Sequence, residues 1–430
     1  MKSFFATGLI SSIAFQGLCQ ASSYGLNEDS SFAYDLLTGI SQAGYGAADP
    51  GDFVALGLKI QPSNFSSWNE SFYQLARDTQ TKADNSKNAD PEILRDTYFA
   101  ASAYWREVDF YLHGNPDDSW INETWVHQQY NYDKAMALMN VPGERLTLPA
   151  DGFDVYAIYY GADDGNKEKS IKRPTLVLLN GYDGSQEGMY FTLGVTATKL
   201  GYNVITYEGP GQPSIRRNQS LGFINDWDRT LTPVLDYLET RDDVDTEKII
   251  YFGFSFGGYL AARAGAVENS RLAGLALDGG VWNVFDGFFN QLPSQLKQVF
   301  LSGNKTTFNS AIYTALTNLS TPTALRWGVE QGMWSFMADT PYDFLDHVRG
   351  WNVSDIISNI TVPTWIANAD NDQFFEGQPL LVANALSKTN KHVTVQNYTG
   401  TAGNHCQSGA YETLNRDFFS WVDKVLNQSL

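Results

Sequence analysis

Two short stretches hold the residues best suited to chemistry. "FGFSFGG", Phe252 to Gly258, carries the one G-x-S-x-G of the chain, with Gly253, Ser255 and Gly257 in the defining positions. "TAGNHCQSGA", Thr401 to Ala410, puts His405 beside Cys406 near the C-terminal end. A serine between such glycines, on a sharp strand-to-helix turn, exposes its hydroxyl for nucleophilic attack, because larger side chains at the flanking positions would collide across the turn. A strand of β-branched and aromatic residues leads into this motif and "GGYLAARAGA" leads away as a helix, which meets that context. The hydroxyl is a weak nucleophile at neutral pH, so a base must take its proton, and an imidazole titrating at about 6.5 suits the task.

Five histidines could supply that base. In the chain order Ser, acid, His, the base follows the acid. His113 and His127 precede the serine in a helical region, His347 precedes the best acid, and His392 stands at the entrance to a strand. His405 follows the last expected strand in a glycine-bearing loop and is the expected base. The acid belongs on the turn after "TVPTWIAN", where Asp370 and Asp372 compete. Asp372 lies further out, just before "QFFEG", where a helix is expected to begin, and is preferred; Asp370 is then a turn-forming residue. Two preorganised donors should hold the oxyanion: the backbone N–H of Phe256, directly after the serine, and that of Tyr182 in "NGYDGS". Cys406 is expected to be a small buried residue locking the histidine loop.

These groups need a scaffold that brings residues 182, 255, 372 and 405 together. "ERLTLP" and "DVYAIYYGA" look like an antiparallel pair. "PTLVLLNG", "YNVITYEGPG", "KIIYFGFS", "LAGLALDGG", "TVPTWIANAD" and "KHVTVQNYTG" read as further strands, each followed by a segment able to form a helix. That alternation predicts an α/β fold with a mostly parallel, doubly wound sheet covered on both faces. Before it, "NFSSWNESFYQLARDTQTKAD", "DPEILRDTYFAASAYWREVDFYL" and "ETWVHQQYNYDKAMALM" have helical spacing. In the second, Asp90 and Pro91 form an N-terminal signal, and Ile93, Tyr98, Ala101 and Trp105 fall at helical intervals. The expected division is a helical N-terminal or cap domain over 22–144 and an α/β domain over 145–430, with a helical insertion at about 282–353. Within that insertion "WNVFDGFFN" would lie beyond a strand's C-terminal end, so Asp286 and Phe288 are candidates for substrate contact, ordinary core being the competing reading.

Residues 1–21 run from Lys2 through an apolar stretch to "CQA", the order of a secretory signal peptide, and imply a secreted protein. No later segment has about 18 unbroken apolar residues, so no membrane partner is expected. The net charge of −19 argues against nucleic acid as well. Ten Asn-x-Ser/Thr sequons suit a secreted glycoprotein: Asn64, Asn69, Asn122, Asn218, Asn304, Asn318, Asn352, Asn359, Asn397 and Asn427. Cys19 falls within the leader, which leaves Cys406 without a disulfide partner, and scattered histidines disfavour a zinc site. No cofactor is called for. Aromatic residues, 14% of the chain, suggest a pocket for a large apolar ligand; a homodimer stays open.

From about Ser67 to Asn427 the chain resembles the α/β-hydrolase branch that includes the 2,6-dihydroxypseudooxynicotine hydrolases. It is similar also to fungal hydrolases of secondary-metabolite clusters, namely the heptaketide-shortening hydrolases and those of fusarin- and cytochalasin-type pathways. The resemblance is carried by "LRDTYFAASAYWREVDFYL", "ERLTLP", "LLNGYDGSQEGMYF", "YEGPGQP", "GFSFGGYLAARA", "NADNDQFFEGQ" and "TAGNHCQSGA". It implies an α/β-hydrolase fold with a helical N-terminal domain over the active site, and Ser255, Asp372 and His405 as nucleophile, acid and base. The expected reaction is acyl transfer to water, cleaving an ester, a lactone or a carbon–carbon bond of the small apolar, polyketide-like substrate that the resemblance implies. A broad carboxylesterase or peptidase, and a silent hydrolase fold used for binding, are the alternatives.

Overall fold

The computed structural model describes residues 24–86, 88–166 and 171–427. The expected leader, residues 1–21, with Cys19 inside it, lies outside them. Five helices come first: α1 (Ser30–Ala43), α2 (Pro50–Gly57), α3 (Phe65–Asn85), α4 (Pro91–Asp109) and α5 (Trp120–Met136). Side-chain caps start several of them. Asp29 accepts the N–H groups of Ser31 and Phe32 at 2.9 and 3.2 Å, and Asp90 accepts that of Glu92 at 2.9 Å. Phe32, Trp68, Phe72, Tyr104 and Tyr111 close an aromatic cluster among α1, α3 and α4. On α4 the buried face carries Tyr98, Ala101 and Trp105 as expected, but Ile93 is 64% exposed. Ile93 lies five residues before Tyr98, about 140° around the helix from it, and Leu94 packs on that core from the first turn instead.

Eight strands form one sheet in the order β1-β2-β4-β3-β5-β6-β7-β8. They are β1 (Glu144–Pro149), β2 (Asp154–Tyr160), β3 (Arg173–Leu179), β4 (Asn203–Glu208), β5 (Val244–Phe254), β6 (Gly274–Asp278), β7 (Thr364–Ala369) and β8 (Val393–Tyr398). The first two pair antiparallel with each other, and β2 runs antiparallel to β4; every pairing from β4 through β3 to β8 is parallel. Connecting helices are α6 (Gln186–Met189), α7 (Val195–Lys199), α8 (Pro213–Asn218), α9 (Asp228–Glu239) and α10 (Phe256–Val267). Between β6 and β7 come α11 (Val284–Phe289), α12 (Ser294–Leu301), α13 (Lys305–Leu316), α14 (Thr323–Ser335) and α15 (Pro341–His347). The chain finishes with α16 (Gln378–Leu386) and α17 (Tyr411–Leu426).

Strand residues alternate between two cores, which is why the central strands read as nearly continuous apolar runs. Val177, Leu179, Ile205, Tyr251 and Leu277 face α9, α10 and the 284–347 helices. Leu176, Leu178, Val204, Ile250 and Phe252 face α17, and Tyr98, Phe99 and Tyr132 of the N-terminal helices join the same cluster. All strands from β3 to β8 therefore end at one edge, and every candidate residue lies just past such an end. Among the described residues no helix is long and apolar enough to cross a membrane.

Seven sequons are exposed: Asn122, Asn218, Asn304, Asn318, Asn359, Asn397 and Asn427. Asn64 and Asn352 are half-buried, the former capping α3 through the Ser67 N–H. Asn69 departs from expectation. It lies on the inner face of α3, 8% exposed beside Trp68, where a folded chain has no room for a glycan.

Candidate active site

β5 ends at Phe254 and α10 begins at Phe256, so Ser255 alone makes the corner, with φ 60° and ψ −129°. An L-residue adopts such a backbone only where its surroundings impose it. Here its N–H donates to the Asp278 carbonyl at 2.7 Å, and its own carbonyl accepts from Gly258 N–H at 2.8 Å. The glycines are sterically required. A Cβ at Gly253 would lie 2.2 Å from the Gly257 carbonyl oxygen, and one at Gly257 would lie 2.7 Å from that of Asn180.

Two other loops converge on this corner. After β7, Asp370 is exposed and part of the turn, whereas Asp372 is 2% exposed. One carboxylate oxygen of Asp372 accepts the N–H groups of Phe374 and Phe375, each at 2.9 Å. The other lies 2.8 Å from His405 Nδ1, and His405 Nε2 lies 2.8 Å from Ser255 Oγ. The structure thus brings Ser255, His405 and Asp372 together and leaves Asp370 out. Residues 373–377 form a turn and α16 starts only at Gln378, later than expected. The chain curls around the Asp372 carboxylate to offer it two N–H groups before helix can begin.

Burial by itself would lower the His405 imidazole, but the Asp372 charge and hydrogen bond outweigh it and hold it above its ordinary value. Burial would raise Asp372, and His405 with the two N–H donors reverses the shift, keeping the carboxylate ionised. Such a line can draw a proton from Oγ to Nε2 while Nδ1–H stays bound to the acid. His405 is the one histidine lining the adjoining cavity.

Cys406 is 1% exposed, with φ 49°, and its Sγ lies 3.7 Å from the Asp278 carbonyl oxygen and 3.5 Å from His405 Nε2. Burial, then the Asp278 and Asp372 charges, push the thiol well above its ordinary range, so it stays a neutral packing group. Asp278 itself escaped the sequence analysis. It ends the apolar strand "LALD", which was the available signal, and is 1% exposed. Burial foremost pushes its carboxyl up to about 7 against the opposing pull of His405. With its side-chain amide nitrogen turned toward it, Gln407 donates to both Asp278 oxygens at 3.1 and 3.2 Å.

The loop after β3 lies against the serine: a Cβ at Gly181 would sit 2.9 Å from Ser255 Cβ and 3.0 Å from Phe256 N. This closeness brings Tyr182 and Phe256 side by side, their rings edge-on at 6.1 Å. Residues of "YEGPGQP" hold the loop there. Gln212 Nε2 donates to the Asn180 carbonyl at 2.9 Å, and Glu208 accepts Gln186 N–H at 2.8 Å and Ser214 N–H at 2.6 Å.

A cavity of about 170 Å³ opens over Ser255 and His405. Toward the 284–347 helices its wall is apolar, with Phe288, Leu292, Phe308, Ile312 and Phe344; toward α1 and α4 it presents Asp35, Arg106 and Glu107. Phe288 therefore reaches the cavity. Asp286 does not line it, which corrects its candidacy: on α11 it faces away, its N–H capped by Asn283 at 3.2 Å. Phe285 and Phe289, from the same stretch, stack at 4.7 Å and pack on Phe300, the ordinary core reading of "WNVFDGFFN".

The α/β hydrolase family profile matches residues 176–405, over half of the chain. This chain belongs to the α/β hydrolase family. The hydrolase is 26% identical over 408 residues to the hydrolase LUC6 of Fusarium sp, covering 92% of this chain and 96% of that protein. It is 27% identical to the 20-hydroxy-prefusarin hydrolase of Gibberella moniliformis over 413 residues, 92% and 96% of the two chains. Among solved structures it is similar to the 2,6-dihydroxy-pseudo-oxynicotine hydrolase, with a TM-score of 0.68 at 18% identity over 90% of this chain and 95% of that one. The last likeness concerns the fold, and its extent includes the N-terminal helices as well as the sheet.

Proposed function

We propose that this hydrolase cleaves an ester, lactone or 1,3-dicarbonyl bond in a small, largely apolar metabolite of polyketide origin, with Ser255 as nucleophile, His405 as base and Asp372 as the orienting acid. The observation that carries the reading is the line of two 2.8 Å contacts, Asp372 to His405 to Ser255, opening onto one cavity. Ser255 Oγ adds to the substrate carbonyl carbon as its proton passes to Nε2. The N–H groups of Tyr182 and Phe256 stabilise the oxyanion, and collapse expels the leaving group, which takes the proton from Nε2. Water repeats the sequence on the acyl-enzyme. A carbon leaving group stabilised as an enolate uses the same residues, so ester and carbon–carbon cleavage share this site.

The substrate class rests on the apolar cavity wall and on the relatives, one of which is named for 20-hydroxy-prefusarin. Route through the secretory pathway rests on the leader-like residues 1–21 and the exposed sequons. A fluorophosphonate probe should label the protein but not Ser255→Ala; labelling of both, or of neither, would remove the nucleophile. Deleting the gene should make one metabolite accumulate, whereas an unchanged metabolite profile would favour a broad carboxylesterase.

A further inference from the structure

Among the described elements helix α1 is the most distant in sequence from the histidine loop, and hydrogen bonds join the two along one face of the helix. The loop needs them. Cys406 and Gln407 are consecutive non-glycine residues in the left-handed region, with φ 49° and 53°, followed by Gly409 at φ 96°. Backbone of this kind persists only when neighbouring structure over-determines it. Tyr34, Thr38 and Ser41 recur at helical spacing on one face of α1. Tyr34 Oη donates to the His405 carbonyl at 3.2 Å and accepts from Ser408 Oγ at 3.2 Å. Thr38 Oγ1 and Ser408 Oγ lie 2.9 Å apart, and Ser41 Oγ accepts Gly409 N–H at 2.7 Å while donating to the Leu37 carbonyl.

The same face also reaches the acid. The Tyr34 ring meets Phe374 edge-on at 5.9 Å; Phe374 donates its N–H to Asp372 and lies edge-on to the His405 ring at 4.9 Å. Close packing leaves α1 little freedom to slide, since a Cβ at Gly409 would fall 2.9 Å from Leu37. The start of α1 is anchored in turn, with Asp29 hydrogen-bonded to Ser63 and to Thr323 of α14.

From this geometry we propose that Tyr34, Thr38 and Ser41 are positioning residues: α1 clamps the strained 405–409 loop so that Nε2 stays in line with Ser255 Oγ. The proposal rests on the chemistry proposed above for Ser255. Its consequence, for contacts that lie off the cavity wall such as that of Ser41, is that loosening the clamp slows chemistry rather than weakening binding, because the reacting atoms lose alignment while the lining side chains stay.

The test compares wild type, Ser255→Ala, Ser41→Ala, Ser41→Thr and Ser41→Ala/Ser408→Ala, the last also removing the hydroxyl that meets Thr38 and Tyr34, by fluorophosphonate inactivation, separating the probe's affinity from its inactivation rate constant, with thermal melting alongside. Neither Ser41 nor Ser408 lines the cavity, so their variants leave the binding surface untouched. The double variant should lower the rate constant by about tenfold or more with affinity changed less than about twofold, and Ser41→Thr should recover most of the loss. A rate constant within about twofold of wild type in both variants overturns the clamp, as does a loss confined to affinity. Absence of labelling in the wild type would instead overturn the nucleophile reading, so the two failures are distinct.

Discussion

The serine corner and the histidine loop both hold a reacting group on backbone that L-residues avoid, yet they are secured in opposite ways. Ser255, at φ 60°, is fixed mainly by its own strand, its own helix and glycines two residues to either side, with the adjoining strand adding one hydrogen bond through the Asp278 carbonyl. The loop of Cys406 and Gln407 is tied by a helix whose nearest contact to His405 spans 371 positions in sequence. Strain relieved locally leaves a motif that can be read from neighbouring letters. Strain borne by a remote helix leaves serines and threonines that look like any others.

The largest expected effects test whether the two regions form one machine. Ser255→Ala and His405→Ala should each lower kcat by about 10⁴-fold or more, measured by steady-state turnover of an activated ester. A variant of either kind that kept near-normal turnover would separate them.

Next in size is the link between loops. Asp372→Asn should cost about 10³–10⁴-fold in kcat. Because only the neutral imidazole accepts a proton, wild-type kcat/KM should rise with pH through a limb placed above the ordinary histidine value by Asp372. The Asn variant should move that limb to lower pH; a limb that stays put means another charge raises His405.

Smaller effects sharpen the contrast between corner and loop. Gly253→Ala drives a Cβ into backbone and should destabilise the fold by about 2–3 kcal/mol, read as a fall in denaturation midpoint, whereas an unchanged midpoint would mean the corner can yield. Cys406→Ala should cost about 1 kcal/mol of stability and far less turnover than His405→Ala. Comparable losses in a folded Cys406 variant would make the thiol more than packing.

Much of this was legible because the physics is short-ranged. Each of the eight strands overlaps a segment read as a strand, although β5 begins at Val244, ahead of "KIIYFGFS", and β3 at Arg173, one residue ahead of "PTLVLLNG"; the antiparallel pair at the sheet's edge was visible in "ERLTLP" and "DVYAIYYGA". Asp372 was preferred to Asp370 on its place in the turn, and it is the one buried against His405. Asp286 was misjudged because a six-residue helix turns successive side chains through large angles, and only the packing of Phe285 and Phe289 on Phe300 decided which faced inward. Asn69 could not be told apart from the other sequons, because a sequon contains no information about burial. Helix α1 escaped notice although Asp29 followed by Phe32, Leu36 and Ile40 offered a cap and a helical stripe.

By itself the amino-acid sequence determined the strands, the glycine-flanked serine and the short list of acids and bases, since each depends on residues within a few positions of one another. The tertiary structure decided which groups meet. It set Asp278 and Gln407 behind the imidazole, Gln212 and Glu208 behind the loop after β3, and Tyr34, Thr38 and Ser41 against the histidine loop. Those contacts join chain segments far apart in sequence, and their energetics depend on burial and alignment that no local pattern encodes.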